Sequence, residues 1–117
     1  NELRELDALL VEARALLQAG VPSFEALLRI DSRFHETLAK ASRNRLFLSV
    51  LETVYANMYQ YQDTYLPRSA KIMRLLVSDL SGIAGAVAAG DANKARERLH
   101  RHVYKFNRLA EHAQRNA

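Results

Sequence analysis

A carboxylate and an imidazole sit where this sequence should be apolar. Phe24, Leu28, Asp31, His35 and Leu38 follow one another at alternating spacings of four and three residues, the period of a helix face turned toward a core. Side chains at i and i+4 share a face, so Asp31 and His35 are near enough to grip one metal ion or each other. A second stripe, Ala95, Leu99, His102, Phe106, Leu109 and Ala113, sets a single imidazole in another seam of the same kind. His100 lies two residues from His102, about 200° round the helix, so the apparent His-x-His is not a chelating motif.

Three arrangements satisfy this spacing. Asp31 and His35 can form a buried ion pair while His102 is a separate, hydrogen-bonded core histidine. All three can instead converge on a divalent ion, which would offset the several kcal/mol that burying titratable groups costs. A dinuclear site of the ferritin type needs a Glu-x-x-His on each of two helices, and only Glu97 to His100 supplies that spacing. Tyr55, Tyr59, Tyr61 and Tyr65 could line a pocket or simply cover the edge of a core. Gly82, Gly85 and Ala89 make a small-residue stripe that suits close helix approach or room for a ligand. Arg96, Arg98, Arg101, Lys105, Arg108 and Arg115 are interrupted by Glu97 and Glu111, as expected of a solvated face.

The elements that must position these residues are helices. Only six of 117 residues are Gly or Pro, and so few breakers favour a few long helices over many short strands. The chain divides at those breakers. Its first helix runs from about Glu2 to Gln18, closed by Gly20 and Pro22. The second runs from Phe24, behind a Ser23 cap, to about Ala41. After Ser42-Arg43-Asn44 a third continues to about Tyr65, ended by Pro67, and a fourth spans about Ser69 to Ala89 with Gly90 behind it. Asp91 caps a fifth that reaches about Arg115. An all-α antiparallel bundle of about five long helices in one domain, residues 1–117, is the expected fold.

Composition narrows the function. The absence of Cys removes disulfides, thiolate zinc, iron–sulfur clusters and cysteine nucleophiles. No apolar run approaches the ~18 residues of a membrane span, and there is no secretory leader pattern. A net charge of +4 permits anionic partners without demanding them. The chain starts at Asn1-Glu2-Leu3 with no initiator Met, so it reads as a piece of a longer protein.

The run Asp31-Ser32-Arg33-Phe34-His35-Glu36-Thr37-Leu38-Ala39-Lys40-Ala41-Ser42-Arg43-Asn44 resembles the Asp-x-x-Phe-His…Ala-Ser-x-Asn signature of the FCD domain. That domain is the effector-binding part of FadR-type GntR transcriptional regulators. Gly82-Ile83-Ala84-Gly85-Ala86-Val87-Ala88-Ala89-Gly90-Asp91, followed by Ala95 and His102, is similar to the family's helix–Gly-Asp–helix segment with its closing histidine. The resemblance implies a homodimeric bundle that follows an N-terminal winged helix-turn-helix. It implies a divalent metal, zinc or nickel, held by Asp31, His35 and His102, and a carboxylate effector bound against it. The family's remaining histidine would fall at Leu80, behind Asp79, and some branches lacking it bind their effectors directly. Candidate effector contacts are Tyr55, Tyr59 and Leu80. The DNA-binding domain and the first bundle helix are expected to lie outside this chain, so operator DNA is a partner only through them.

Two functions of different class follow. One is a cytoplasmic, non-catalytic sensor domain for a small organic acid, controlling an attached winged helix domain. The other is a metal-dependent helical-bundle enzyme acting on a small metabolite. An enzyme would need a poised base or nucleophile beyond the metal ligands, and the sequence supplies none at convincing spacing.

Overall fold

The computed structural model describes residues 1–19, 24–41, 43 and 61–116. Its helices are α1 (Glu2–Gln18), α2 (Phe24–Ala41), α3 (Ala70–Ala88) and α4 (Ala92–Arg115), with a further helical turn at 61–65. Among the described residues there is no strand, and the all-α bundle expected from the breakers is what forms. The expected third helix lies mostly outside the described residues, as do Tyr55 and Tyr59; its end is seen as the turn at 61–65, followed by buried Leu66 and then Pro67.

Local caps mark several of the helix ends. The Asn1 side chain accepts from Arg4 N at 3.0 Å and caps α1. Ser69 is the cap of α3 rather than its first residue, its hydroxyl accepting from Ile72 N at 3.1 Å. At the far end Gly90 takes φ +74°. Gly90 N donates to Val87 O and Asp91 N to Ala86 O, both at 3.0 Å, a Schellman closure that only a residue tolerant of positive φ makes without strain. Asp91 then caps α4 by accepting from Lys94 N at 3.0 Å. Three residues thus turn α3 into α4, and the two pack as a hairpin.

The apolar stripes meet in one core. Leu6, Leu9, Leu10 and Ala13 of α1, Leu27, Leu28, Ile30 and Phe34 of α2, Leu76, Leu80 and Ile83 of α3, and Phe106 and Ala110 of α4 are all buried. Leu3 is 46% exposed, so the stripe expected on α1 begins one turn later. Packing is closest between α3 and α4 and between α1 and α2, and α1 also lies against α3. No Cα of α2 lies within 8 Å of a Cα of α4. Whatever joins those two helices must therefore be long side chains.

The surface is ion-paired and solvated. Arg29 meets Glu25 at 2.6 Å, Arg101 meets Glu97 at 2.7 Å, and Arg108 and Arg115 flank Glu111 at 3.5 Å. Pairs this exposed contribute little stability. The Gly82–Gly85–Ala89 stripe is not a line of helix contact: a Cβ on Gly85 would meet nothing, and one on Gly82 would meet the Arg98 guanidinium at 2.7 Å.

Phe106, 2% exposed, and Tyr104, 68% exposed, sit two residues apart on α4. Phe106→Ala should lower the unfolding free energy by about 3–5 kcal/mol, while Tyr104→Ala should stay within about 0.5 kcal/mol of the parent. Urea denaturation followed by helical circular dichroism measures both.

Candidate metal centre

The three polar residues singled out by spacing come together. α2 carries Asp31 and His35 one turn apart on the face that also buries Phe34, and α4 carries His102 on the face that buries Phe106. Asp31 Oδ1 lies 3.1 Å from His35 Nε2 and 3.1 Å from His102 Nε2. The imidazoles stack at 5.4 Å between centroids and 20° between planes, while Phe34 and Phe106 contact them from the sides. All three polar side chains are buried: Asp31 is 7% exposed, His35 2% and His102 3%. The arrangement with a separate core histidine is therefore not the one adopted, because His102 shares the carboxylate that His35 uses.

A fourth residue completes the cluster, one that spacing did not single out. Asp79 of α3 places Oδ2 2.8 Å from His102 Nδ1. Lys105, one turn beyond His102, donates to the same Asp79 carboxylate at 2.9 Å. Asp79 marks the acidic position before Leu80, but it falls off the apolar stripe of α3, so periodicity alone gives it no role. Leu80 itself is fully buried, at 0% exposure, in the hydrophobic core.

Charge follows from these contacts. Both nitrogens of His102 face carboxylate oxygens, so both donate and the ring is an imidazolium. Burial works against that cation, but the hydrogen bonds to Asp31 and Asp79 and the attraction of both anions outweigh it and raise its pKa to about 9. Asp31 shows the mirror image. Burial favours its neutral form, yet the pull of His35 and the hydrogen bonds from both imidazoles hold it far below the usual carboxylate range. Asp79 is lowered too, burial being overcome by the hydrogen bonds from His102 and Lys105.

The donor set also suits a divalent ion. One ligand atom from each of Asp31, His35 and His102 lies within 4.8 Å of the others. Zinc bound at about 2.0–2.1 Å by nitrogen and oxygen sets neighbouring ligands about 3.3 Å apart, close to the two 3.1 Å contacts already present. Asp79 holds His102 by Nδ1, which turns Nε2 toward the site in the manner of carboxylate–histidine–metal arrangements. The group of three could bind a metal. Leu80 has no lone pair and cannot be a fourth ligand.

The family model that matches this chain is the FCD domain, over residues 1–105, a stretch that includes Asp31, His35, Asp79 and His102. No curated protein and no solved structure matches.

The raised pKa of His102 has a sign that can be measured. A group whose pKa rises from about 6.5 to about 9 on folding stabilises fully below pH 6.5 and loses that contribution as pH climbs through 9. In metal-free protein the loss should be on the order of 3 kcal/mol. Urea midpoints at pH 6.5 and 9.5 should separate for the parent and converge for His102→Gln; equal separation in both proteins would show that His102 carries no such charge.

Proposed function

Since the chain belongs to the FCD domain family, the C-terminal effector-binding domains of GntR-family regulators, we propose that it senses a small carboxylate metabolite and controls an attached winged helix domain. The observation that carries the reading is the convergence of Asp31, His35 and His102 from α2 and α4. Asp31 Oδ1, His35 Nε2 and His102 Nε2 would hold zinc or nickel. When bound, the ion supplies a Lewis-acidic anchor for a carboxylate. With Leu80 in place of a fourth ligand, coordination positions remain for the effector or water. Tyr55 and Tyr59, off the apolar seam of the expected third helix, and Leu80, at the family's remaining histidine position, are the residues assigned to effector contact.

The path from binding to regulation runs through the helices. α2 and α4 meet across the cluster by side chains, so a ligand that alters the cluster alters how those helices sit. A shift of that kind changes the operator affinity of the attached domain only as far as the effector binds one arrangement better than the other. The domain acts by binding, without turnover, and works in the cytoplasm as a homodimer; exposed Leu3 and Val11 on α1 offer apolar surface toward a second copy. No described helix is long and apolar enough to cross a membrane.

Calorimetric metal titration with and without a dicarboxylate tests the site. The parent should bind one divalent ion weakly and more tightly with the dicarboxylate, while His35→Ala and His102→Ala should abolish binding. Leu80→His should tighten it, and Asp79→Asn should weaken it about 10–100-fold. Because binding must displace a proton from His102, affinity should rise about tenfold per pH unit between 7 and 9. If neither the parent nor Leu80→His takes up an ion under any of these conditions, the cluster is a polar network and the metal reading fails.

Sedimentation velocity at micromolar concentration checks the oligomer. A species of twice the 13.3 kDa chain mass is expected, and a 13.3 kDa species would show that this chain does not self-associate.

A further inference from the structure

At the outer edge of the cluster, between α3 and α4, lies a notch of about 90 Å³ lined by Ser78, Asp79, Arg98, Arg101, His102 and Lys105. Its floor is the Asp79–His102 hydrogen bond and its walls are basic. Arg98, Arg101, Lys105 and the imidazolium of His102 set four positive charges against the one carboxylate of Asp79 in this lining. Asp79 is already engaged by His102 and Lys105, and Arg101 leans on Glu97 at 2.7 Å. Arg98 makes no ion pair or hydrogen bond among the described residues. It lies over Gly82, where a Cβ would come within 2.7 Å of Nη1. The missing side chain of Gly82 is therefore the cradle that lets Arg98 lie along the notch.

We propose that this notch is a binding site for a phosphate group, on the outer side of Asp79 and His102 and not at the three ligand atoms that would hold a metal. A guanidinium, an ammonium and a hydroxyl around one small concavity are the donors that recognise a tetrahedral oxyanion. The net positive lining favours an anion such as phosphate, which is negatively charged at neutral pH. The notch is large enough for one oxyanion head. A phosphate there also meets Lys105, whose ammonium Asp79 shares, so occupancy bears on the carboxylate that orients His102. The site goes beyond the sensor reading and stands whether or not a metal binds.

The test is an NMR titration of the chelator-treated 117-residue chain with inorganic phosphate at matched ionic strength, reading the amides of Ser78, Arg98 and Lys105. Saturable shifts are expected. Arg98→Gln should weaken binding about tenfold, whereas Arg108→Gln, which removes the same charge elsewhere on α4, should change it less than twofold. Gly82→Ala retains every charge and improves helix propensity. It should nonetheless weaken phosphate binding severalfold by pushing the guanidinium aside. Glycerol 3-phosphate competing at comparable concentration assigns the site to phosphorylated metabolites, and binding of inorganic phosphate alone assigns it to the free ion. Shifts that grow linearly without saturating, or an equal loss in Arg98→Gln and Arg108→Gln, would show only the diffuse field of a basic helix and overturn the proposal.

Discussion

One oxygen atom does most to set how this bundle closes. Asp31 Oδ1 receives an imidazole from its own helix and another from a helix 71 residues further along, joining α2 to α4 where their backbones do not approach. The contact is expensive to build, since a buried carboxylate and two buried imidazoles lose their hydration. It is tolerated because each charge meets an opposite one at hydrogen-bond distance. Truncating any member leaves the others buried and uncompensated, which ties the arrangement of the helices to the protonation and ligation of a few atoms.

Asp79 extends that logic outward. It fixes the ring of His102 through Nδ1, and Lys105 in turn engages Asp79, so a relay of four charged groups leads from the core to the surface of the α3–α4 hairpin. Its inner end faces the Asp31 carboxylate and its outer end faces the basic notch. The proton on His102 is the positive charge that lets Asp31 stay ionised in the interior, a part that a divalent ion at the same atoms would also play.

The helices serve this arrangement through their ends. The Schellman closure at Gly90 and the cap at Asp91 fix the register of α3 against α4 within three residues, and that register brings Asp79 opposite His102. A looser connection would let the hairpin slide by a turn, about 5.4 Å, and the hydrogen bond between them could not survive the slide.

Local signals determined much of this by themselves. Gly20, Pro22, Pro67 and Gly90 separate the helices, and the periodic leucines mark their buried faces. The bounds of α1 and α2 and the cap of α4 follow from neighbours in sequence, because capping and hydrophobic period are short-range effects. Asp31 and His35 were legible as a pair for the same reason, being one turn apart on one helix. Two things were decided only by tertiary structure. Spacing could set His102 on an inward face of α4 but could not say that it meets Asp31, since the distance between side chains on different helices depends on how the helices pack. Asp79 had no periodic mark at all: it lies beside the apolar stripe of α3, and only the α3–α4 hairpin brings its carboxylate within 2.8 Å of His102. The notch was hidden in the same way, since a run of arginines reads as a solvated face until Gly82, on the neighbouring helix, makes a place for one of them.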